Sequence, residues 1–276
     1  MTDFTTFETR ERDGWTDPAV VEAYVTVFGP VVDAVAARLA GMAAATGAGA
    51  FHDLCCGQGR LTAMLAAHGP VTGIDFSPVM LARAAETAPG ATLVEGDIRA
   101  LPLADASVAC ATCNHGLMHV ADRGAALAEI ARVLRPGARL LFSNWSPPEE
   151  NPVFATVFGA VKANLAAPPP PAPDRFELAR PATADPLIAA AGLTLVSRVT
   201  MTLPWTLDAA EDLFRTFAEG TIGLRMMIAA QPSESTAAMA AMAAETVRTR
   251  FAREGGDGPP FAVPVTIAVS AVEKPA

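Results

Sequence analysis

The chain has 276 residues, of which 51% are hydrophobic and 18% are charged, and its formal net charge at pH 7 is −9. This hydrophobic content can fill the core of one α/β domain with an appended cap. The acidic balance argues against nucleic acid as a partner. We identify no stretch of about 18 apolar residues without charges or helix breakers, and no signal peptide, so we expect no membrane span and a cytoplasmic protein.

The first 45 residues are predicted to form a helical cap. Residues 1–16 mix acidic residues with arginines and are expected to be poorly ordered. Asp17-Pro18 is typical of a helix start, because aspartate caps free N–H groups and proline is tolerated in the first turn. Gly29-Pro30 is predicted to break that helix, and a second helix is predicted to follow it.

The segment from Phe51 to Asp75 predicts a ligand site. It reads as an apolar strand, a turn containing Gly57 and Gly59, a helix from about Arg60, and a second strand that ends in Asp75. The glycines allow a ligand to contact the main chain, and the helix directs its free N–H groups and positive dipole end into the turn. A carboxylate after the second parallel strand can accept both hydroxyls of a ribose. The segment therefore predicts a site for an adenosine-containing ligand.

Strands and helices continue to alternate as far as Trp145. The predicted elements are a helix from Ser77-Pro78 to Thr87, strands at Ala91–Glu95 and Val108–Cys113, a helix at Asp122–Leu134 stopped by Pro136-Gly137, and a strand at Arg139–Asn144. This alternation predicts a parallel sheet with helices on both faces, which is a doubly wound α/β fold.

The remaining chain is less regular. Residues 147–173 are rich in proline, and the run at 168–171 favours an extended connection. Predicted elements follow in this order: a short helix from Asp185-Pro186, a strand at Leu193–Leu203, a helix from Asp208 to Gly220, a helix from about Ser233 to Arg253, and a strand at Phe261–Val269. The helices between Pro204 and Pro260 are too long for a plain connection and predict a lid. The core is assigned to 46–203, the lid to 204–260 and the final core strand to 261–276.

Four runs carry a resemblance to a known family. They are DLCCGQGRLT, VTGIDFSPVML, VEGDIRALPLADAS and EIARVLRPGARLLFSNW, in that order, and they cover about Phe51 to Trp145. The chain resembles class I S-adenosylmethionine-dependent methyltransferases of the group that acts mostly on small molecules. This resemblance implies a Rossmann-like, mainly parallel seven-stranded sheet and S-adenosylmethionine as cofactor. Two positions depart from the family: Cys55 replaces the usual glycine, and Ala109 stands where an aspartate is common.

The resemblance also implies roles for individual residues. Asp53 would lie at the base of the glycine loop, near the methionine part of the cofactor. The loop contains Gly57 and Gly59, and its backbone at Cys55 and Gly57 would approach the amino acid part of the cofactor. The expected contacts to ribose and adenine come from Asp75, Phe76, Met80, Asp97 and the backbone of Ile98. Asn114 would close the site with its backbone carbonyl. Tyr24 either lies near the bound cofactor or packs its helix against the core.

Two histidines are candidates for catalysis. His115 and His119 follow the fourth strand, at the sheet edge where ligands bind, and either could remove a proton from an acceptor hydroxyl or amine. A histidine at the position of His119 often only packs near the pocket in related enzymes. Trp145 and two methionines, Met226 and Met227, could line an apolar acceptor pocket, although packing within the lid is the favoured role of the methionines.

The cysteines do not indicate a metal or redox site. Cys110 and Cys113 match C-x-x-C, but in a strand their side chains face opposite ways, whereas a redox pair favours a helix N-terminus and zinc needs more ligands. We expect core packing for both residues and no metal.

Other functions remain open from the sequence. The fold could bind the cofactor without methylating, in a structural role or for another rearrangement. A nicotinamide-dependent oxidoreductase is disfavoured by Thr62 at the third position of the glycine motif and by the lack of a tyrosine–lysine pair. A nucleic-acid methyltransferase is disfavoured by the acidic charge and by the lack of an Asn-Pro-Pro-aromatic motif. The expected partner is a small-molecule acceptor, and the oligomeric state is not predicted.

Overall fold

A seven-stranded sheet forms the centre of the computed structural model, which describes residues 4–169, 171–253 and 258–276. The strands are β1 Phe51–Leu54, β2 Val71–Asp75, β3 Thr92–Glu95, β4 Val108–Asn114, β5 Leu134–Trp145, β6 Thr194–Leu207 and β7 Phe261–Glu273. Their order is β3-β2-β1-β4-β5-β7-β6. The first five strands are parallel, and β7 runs antiparallel to both β5 and β6. The predicted doubly wound, mainly parallel sheet is confirmed.

Helices cover both faces of the sheet. They are α1 Thr5–Thr16, α2 Pro18–Ala44, α3 Arg60–Ala66, α4 Pro78–Thr87, α5 Arg123–Val133, α6 Pro152–Asn164, α7 Pro181–Ala190, α8 Asp212–Gly220, α9 Ile222–Ala229 and α10 Ser233–Arg250. One apolar core includes residues of α2, α6, α8 and α10, and the other includes residues of α5 and α7. Cys110 belongs to the first core and Cys113 to the second. The prediction that these two side chains face opposite ways is therefore confirmed.

The N-terminal segment differs from its prediction in two ways. The residues expected to be poorly ordered form helix α1, which is held to the core by an ion pair between Glu8 and Arg99. Helix α2 also runs unbroken through Pro30. An interior proline costs about 3 kcal/mol, but Phe28, Val31 and Val35 are buried around it. Burial of each such side chain contributes about 1.5–3 kcal/mol, which together outweighs the cost of the proline.

Helix α2 also bears on the expectation that no membrane span exists. By length and composition α2 is apolar enough to cross a membrane, with a mean hydropathy of 1.6 in its best window. Its charged residues and its glycine–proline pair are the features that argue against a span. In the fold, Val35, Leu39 and Ala43 are fully buried on one face, as expected for a core helix. The absence of a membrane partner stays a prediction.

Several predicted boundaries in the second half of the chain move. Strand β5 begins at Leu134 and passes through the Pro136-Gly137 pair, with a register shift against β4. Helix α7 begins at Pro181, before the predicted start, and contains Pro186. Helix α8 begins at Asp212, after the predicted cap at Asp208. Part of the proline run, Pro170, and the end of the predicted lid, 254–257, lie outside the described residues.

The segment predicted as a lid divides between two places. Residues 204–207 continue β6, and helix α10 packs against α6 and β7 beside the sheet. Helix α9 instead contacts α1 and α8, close to the carboxyl ends of the strands. The end of α8 and the start of α9 are thus the parts of 204–260 that are placed to cover a site at that edge.

Candidate functional site

A cavity of about 330 Å³ opens at the carboxyl ends of β1, β2 and β4. The site residues predicted from the sequence meet there, with one exception. Those that line the cavity are Tyr24, Asp53, Cys55, Gly57, Asp75, Phe76, Met80, Asp97, Ile98, Asn114, His115 and His119. Gly59 does not line it. A Cβ on Gly59 would lie 2.9 Å from the Cα of Ala84, so this glycine permits α3 to pack against α4.

The turn after β1 has the backbone conformation that the glycine pattern predicts. Gly57 has φ 54° and Gly59 has φ 83°, both in the left-handed region. Cys55, at the position where the related family has glycine, also has a positive φ of 54°. The N–H of Cys56 donates to the carbonyl of Ile74 at 3.0 Å. The turn therefore lies at the cavity, which Cys55, Cys56, Gly57 and Gln58 help to line.

Asp75 is a buried carboxylate at the end of β2. Its Oδ2 accepts the N–H of Gly57 at 2.9 Å, and its Oδ1 accepts the N–H of Ser77 at 2.9 Å. Burial raises the pKa of Asp75, although these two N–H groups act in the opposite direction. A carboxylate offers about four acceptor positions, so its oxygens can still accept hydrogen bonds from a ligand.

Asp53 is a second buried carboxylate in the same cavity. The hydroxyls of Thr62 and Thr112 donate to its two oxygens at 2.7 Å and 2.9 Å. Burial raises the pKa of Asp53 to about 7, and nearby Asp75 adds to this effect. Within the part of the chain that the structure describes, neither aspartate forms an ion pair. The pair of carboxylates therefore favours a ligand that carries positive charge.

Helix α1 closes the outer side of the cavity through charged groups. Asp97 forms a two-point ion pair with Arg99, at 3.1 Å and 2.8 Å, and this pair lowers the pKa of Asp97. Arg99 also pairs with Glu8, and Arg12 lies over the ring of Phe76 at 5.4 Å. The carboxylate of Asp97, which is expected to contact the adenine of the cofactor, thus already binds Arg99.

Tyr24 occupies both of the positions considered for it. Its ring stacks on Phe28 at 5.3 Å and meets Trp15 edge to face at 4.9 Å, and it also lines the cavity. Burial raises the pKa of the Tyr24 hydroxyl to about 12. The residue therefore packs α2 against the core and contributes a neutral phenol to the cavity wall.

His115 lies in an unusual backbone conformation that a hydrogen-bond network fixes. Its φ is 57°, and its N–H donates to Ser143 Oγ at 3.0 Å. The amide of Asn114 donates to the carbonyl of Val32 at 3.1 Å, so Asn114 Oδ1 is the acceptor for His115 Nδ1 at 2.9 Å. The proton therefore sits on Nδ1, and Nε2 carries the lone pair.

The lone pair on His115 Nε2 becomes available to a ligand only when the neighbouring side chains move. This atom is buried and has no hydrogen-bond partner in the described part of the chain, and the residue borders the cavity. Burial lowers the pKa of His115 to about 3. The imidazole is therefore neutral at ordinary pH, because burial disfavours the imidazolium.

His119 is held by a different contact. Its Nδ1 lies 2.9 Å from Glu11 Oε2, which also accepts the indole N–H of Trp15 at 2.9 Å. Burial alone would raise the pKa of Glu11, but His119 and Trp15 lower it below its usual value. His119 thus joins the sheet edge to α1, which resembles a packing role more than that of a free base.

A second, smaller cavity of about 40 Å³ adjoins the first. Its wall is rich in aromatic residues, which are Phe7, Trp15, Tyr24, Phe28, Trp145, Phe154 and Phe217. His115 and His119 line both cavities. Trp145 lies in this pocket as expected. Met226 and Met227 pack in the apolar clusters and do not line either cavity, in agreement with their favoured packing role.

The sequence analysis missed several residues of the site. Glu11 and Trp15 were missed because α1 was expected to be poorly ordered, although the apolar Phe7 and Trp15 in that segment indicated a buried face. Ser143 and Arg175 come from distant parts of the chain, and no local pattern connects them to His115. The four matching runs could reveal the first cavity but not the second.

Comparisons with known proteins agree with this geometry. Residues 52–142 match the family model of a methyltransferase domain. A demethylmenaquinone methyltransferase of Beutenbergia cavernae is 39% identical over 108 residues, which cover 39% of this chain and 45% of that protein. The chain thus spans about half the length of this relative.

Solved structures share the fold over most of the chain. A candidate methyltransferase of Bacillus halodurans C-125 has a TM-score of 0.57 at 20% identity and covers 87% of this chain and 99% of its own. A 4+2 cyclase has a TM-score of 0.58 at 18% identity and covers 97% of both chains. At these identities the likeness establishes the fold alone.

Proposed function

We propose that the chain transfers a methyl group from S-adenosylmethionine to a small, largely apolar acceptor, because its residues 52–142 match a methyltransferase domain. The observation that carries this proposal is the pair of buried carboxylates, Asp53 and Asp75, in a cavity that adjoins a second, aromatic one. The first cavity suits a polar cofactor with positive charge, and the second suits an apolar acceptor.

The residues of the first cavity fit S-adenosylmethionine. Its ammonium and sulfonium groups would offset the charge of Asp53 and Asp75, which lack an ion pair in the described residues. The free acceptor positions of Asp75 suit the two ribose hydroxyls. Phe76, Met80 and Ile98 offer apolar contacts for adenine, and Met80 and Ile98 are buried. Asp97 keeps acceptor positions beyond those used by Arg99.

For methyl transfer, the chain would align the acceptor with the methyl group and supply one side chain that accepts a proton. When bound, S-adenosylmethionine supplies an activated methyl group. The aromatic wall of the second cavity would align the acceptor with that group and exclude water. His115 belongs to the wall shared by both cavities. Once the neighbouring side chains expose its Nε2, this atom would accept a hydrogen bond from the acceptor hydroxyl and take its proton as the new bond to carbon forms.

The nature of the second cavity supports an aromatic acceptor. Its walls carry the edges and faces of Phe28, Trp145 and Phe154, with ring centroids of adjacent pairs 5.6–6.3 Å apart. The curated relative is named for demethylmenaquinone, a quinone. A flat aromatic hydroxyl compound is therefore the acceptor class that we would test first. Cytoplasmic location and the absence of nucleic-acid partners stay predictions from the sequence.

A non-methylating role on the same fold is the second candidate. The structural likeness to a 4+2 cyclase is the observation in its favour, since that protein has the same fold and a different reaction. In such a role, the cofactor would bind in the first cavity and remain intact.

Product formation distinguishes the two functions. We expect that incubation with S-adenosylmethionine and 1,4-dihydroxynaphthalene or related phenols yields S-adenosylhomocysteine and a methylated product in equal amounts, measured by chromatography and mass spectrometry. The control is the same mixture without acceptor. Tight binding of S-adenosylmethionine with no turnover across a panel of oxygen, nitrogen and carbon acceptors would instead support the non-methylating role.

Cofactor binding should release a proton below pH 7. The pKa of Asp53 is raised to about 7 by burial, and a cationic ligand favours the carboxylate, so binding shifts this group toward its ionised form. Affinity should fall as the pH drops below about 7, by at most about tenfold per pH unit. Calorimetric titrations near pH 6 in two buffers with different ionisation enthalpies measure the released protons.

The variant Asp53→Asn provides the comparison for this linkage. It should bind the cofactor with less proton release, and its melting temperature reports whether it folds. The stability of the ligand-free protein should depend on pH in the direction opposite to that of cofactor affinity. Because the folded-state pKa lies above the unfolded value, the contribution of Asp53 to stability is full below about pH 3.9 and is lost as the pH rises through about 7. Equal heats of cofactor binding in both buffers would contradict the assignment.

A further inference from the structure

Arg175 is a cation in the wall of the aromatic cavity without a hydrogen-bond partner. It lies in the connection between α6 and α7 and lines the second cavity beside Thr221 and Gly223. Its guanidinium stands over the ring of Phe158 at 5.6 Å. In the described part of the chain it forms no hydrogen bond or ion pair. Its donors are thus available to a ligand in that cavity.

The carboxylates near Arg175 are engaged elsewhere. Glu177 pairs with Arg123, and Asp174 pairs with Arg180. Glu11, which faces the same cavity, accepts from Trp15 and His119. Glu11 does attract Arg175 at longer range, but the two do not form an ion pair. The protein therefore holds a guanidinium in a wall rich in aromatic residues, where no side chain or carbonyl of the described residues accepts a hydrogen bond from its five N–H donors.

Arg175 is a half-buried cation without an ion pair in the described residues, and an acidic group on a ligand could serve as its partner. Removing a guanidinium from water without a compensating anion is unfavourable, and burial lowers the pKa of Arg175. The fork of a guanidinium matches a carboxylate at two points. Gly223 contributes to this arrangement, because a Cβ at that position would collide with Nη2 of Arg175. The glycine thus leaves room for the guanidinium beside the start of α9.

We propose that Arg175 binds a carboxylate on the methyl acceptor. This inference rests on the function proposed above and narrows its substrate class to aromatic or otherwise apolar acids that also carry a hydroxyl. The hydroxyl would face His115 at the sheet edge, the carboxylate would face Arg175 beside α9, and the apolar body would lie among the aromatic rings between them.

A matched pair of probes tests the charge requirement. 4-Hydroxybenzoate and 4-hydroxybenzyl alcohol share the ring and hydroxyl and differ in the carboxylate. We expect the protein saturated with S-adenosylhomocysteine to bind the acid about 10- to 100-fold more tightly than the alcohol, the range of a charge-assisted hydrogen bond. Calorimetry measures both affinities, and quenching of fluorescence from Trp15 and Trp145 reports occupancy of the cavity.

Variants assign the preference to one side chain. Arg175→Met should remove the preference for the acid and leave binding of the alcohol nearly unchanged, whereas Arg175→Lys should retain part of it. Gly223→Ala keeps the guanidinium but displaces it, so it should also weaken binding of the acid. Arg215→Met, at an exposed arginine, is the matched control and should behave as the unaltered protein.

The outcomes separate this inference from the proposed function. If the unaltered protein binds S-adenosylmethionine but prefers the alcohol, or if Arg175→Met and Gly223→Ala both keep the preference for the acid, the assignment of Arg175 is wrong and the methyltransferase proposal stands. If S-adenosylmethionine does not bind in the first cavity, the proposed function itself fails. Should Arg175→Met not fold, Arg175→Lys and Gly223→Ala decide the question.

Discussion

The variant His115→Ala is expected to lower kcat by about 10²- to 10⁴-fold, the usual contribution of a positioned general base. The structure leaves Nε2 of His115 with a lone pair and without a partner in the described residues, but burial lowers the pKa of the imidazole and makes it a weak base, so the effect should lie at the lower end of this range. Asn114 and Ser143 fix the ring through hydrogen bonds to Nδ1 and to the backbone N–H. Affinity for S-adenosylmethionine should change little. Steady-state turnover and calorimetric titration measure the two quantities separately.

The pH profile gives an independent readout of this role. Burial lowers the pKa of His115 to about 3, so the imidazole keeps its lone pair throughout the ordinary pH range. With saturating cofactor, kcat should therefore show no acidic decline attributable to His115 above about pH 5. A decline with an apparent pKa near 6.5 that disappears in His115→Ala would show an exposed, titrating histidine and would contradict the buried geometry.

Two other histidines provide controls. His119→Ala removes the link to Glu11 and the contact with Trp15, so it should lower the melting temperature more than it lowers kcat. His68→Ala removes an exposed ring and should change neither. If His115→Ala retains near-full turnover, alignment and exclusion of water are sufficient for catalysis, and no base should be assigned.

The variant Asp75→Ala should weaken the binding of S-adenosylmethionine by at least tenfold. Two hydrogen bonds from ribose hydroxyls to a charged acceptor would each contribute about 1.5–3 kcal/mol. The same carboxylate accepts N–H groups of Gly57 and Ser77, so its loss should also loosen the turn that faces the cofactor. Both effects act in the same direction on affinity, which calorimetric titration measures.

A comparison with Asp75→Asn separates these contributions. The amide retains an oxygen that can accept one of the backbone N–H groups but lacks the charge, so its affinity should lie between those of the unaltered protein and Asp75→Ala. Asp208→Ala, at an exposed aspartate, is the control. Unchanged affinity in Asp75→Ala, with a circular dichroism spectrum like that of the unaltered protein, would remove Asp75 from the cofactor site.

The sequence predicts the first cavity well because its parts are close along the chain. Gly57 and Asp75, which share a hydrogen bond, are 18 positions apart. Gly57 lies in the turn between β1 and α3, Asp75 ends β2, and both segments have a strong local pattern. The parallel strand order then brings Asp97 and His115 to the same edge. Local sequence patterns, together with the rule that parallel strands end at the same edge of the sheet, were sufficient to predict the position of these residues.

The second cavity depends on contacts that no local pattern encodes. His119 and Glu11 are 108 positions apart, and Asn114 and Val32 are 82 apart. The charged composition of the first residues suggested poor order, whereas tertiary contacts stabilise α1. Likewise, Arg175 lies in a proline-rich connection that reads as a spacer. Only the folded chain shows that this connection and the start of α9 complete the wall.

The position of α1 has a consequence for the timing of turnover. The helix lies over both cavities, through Glu8 and Arg12 on one side and Glu11 on the other. Its ion pairs with Arg99 and Asp97 are partly exposed, and mobile ions weaken such pairs far more than they weaken the apolar core. Dissolved salt should therefore shorten the residence time of ligands in both cavities without lowering the stability of the sheet. The attachment of α1 would then set the rate at which ligands enter and leave both cavities.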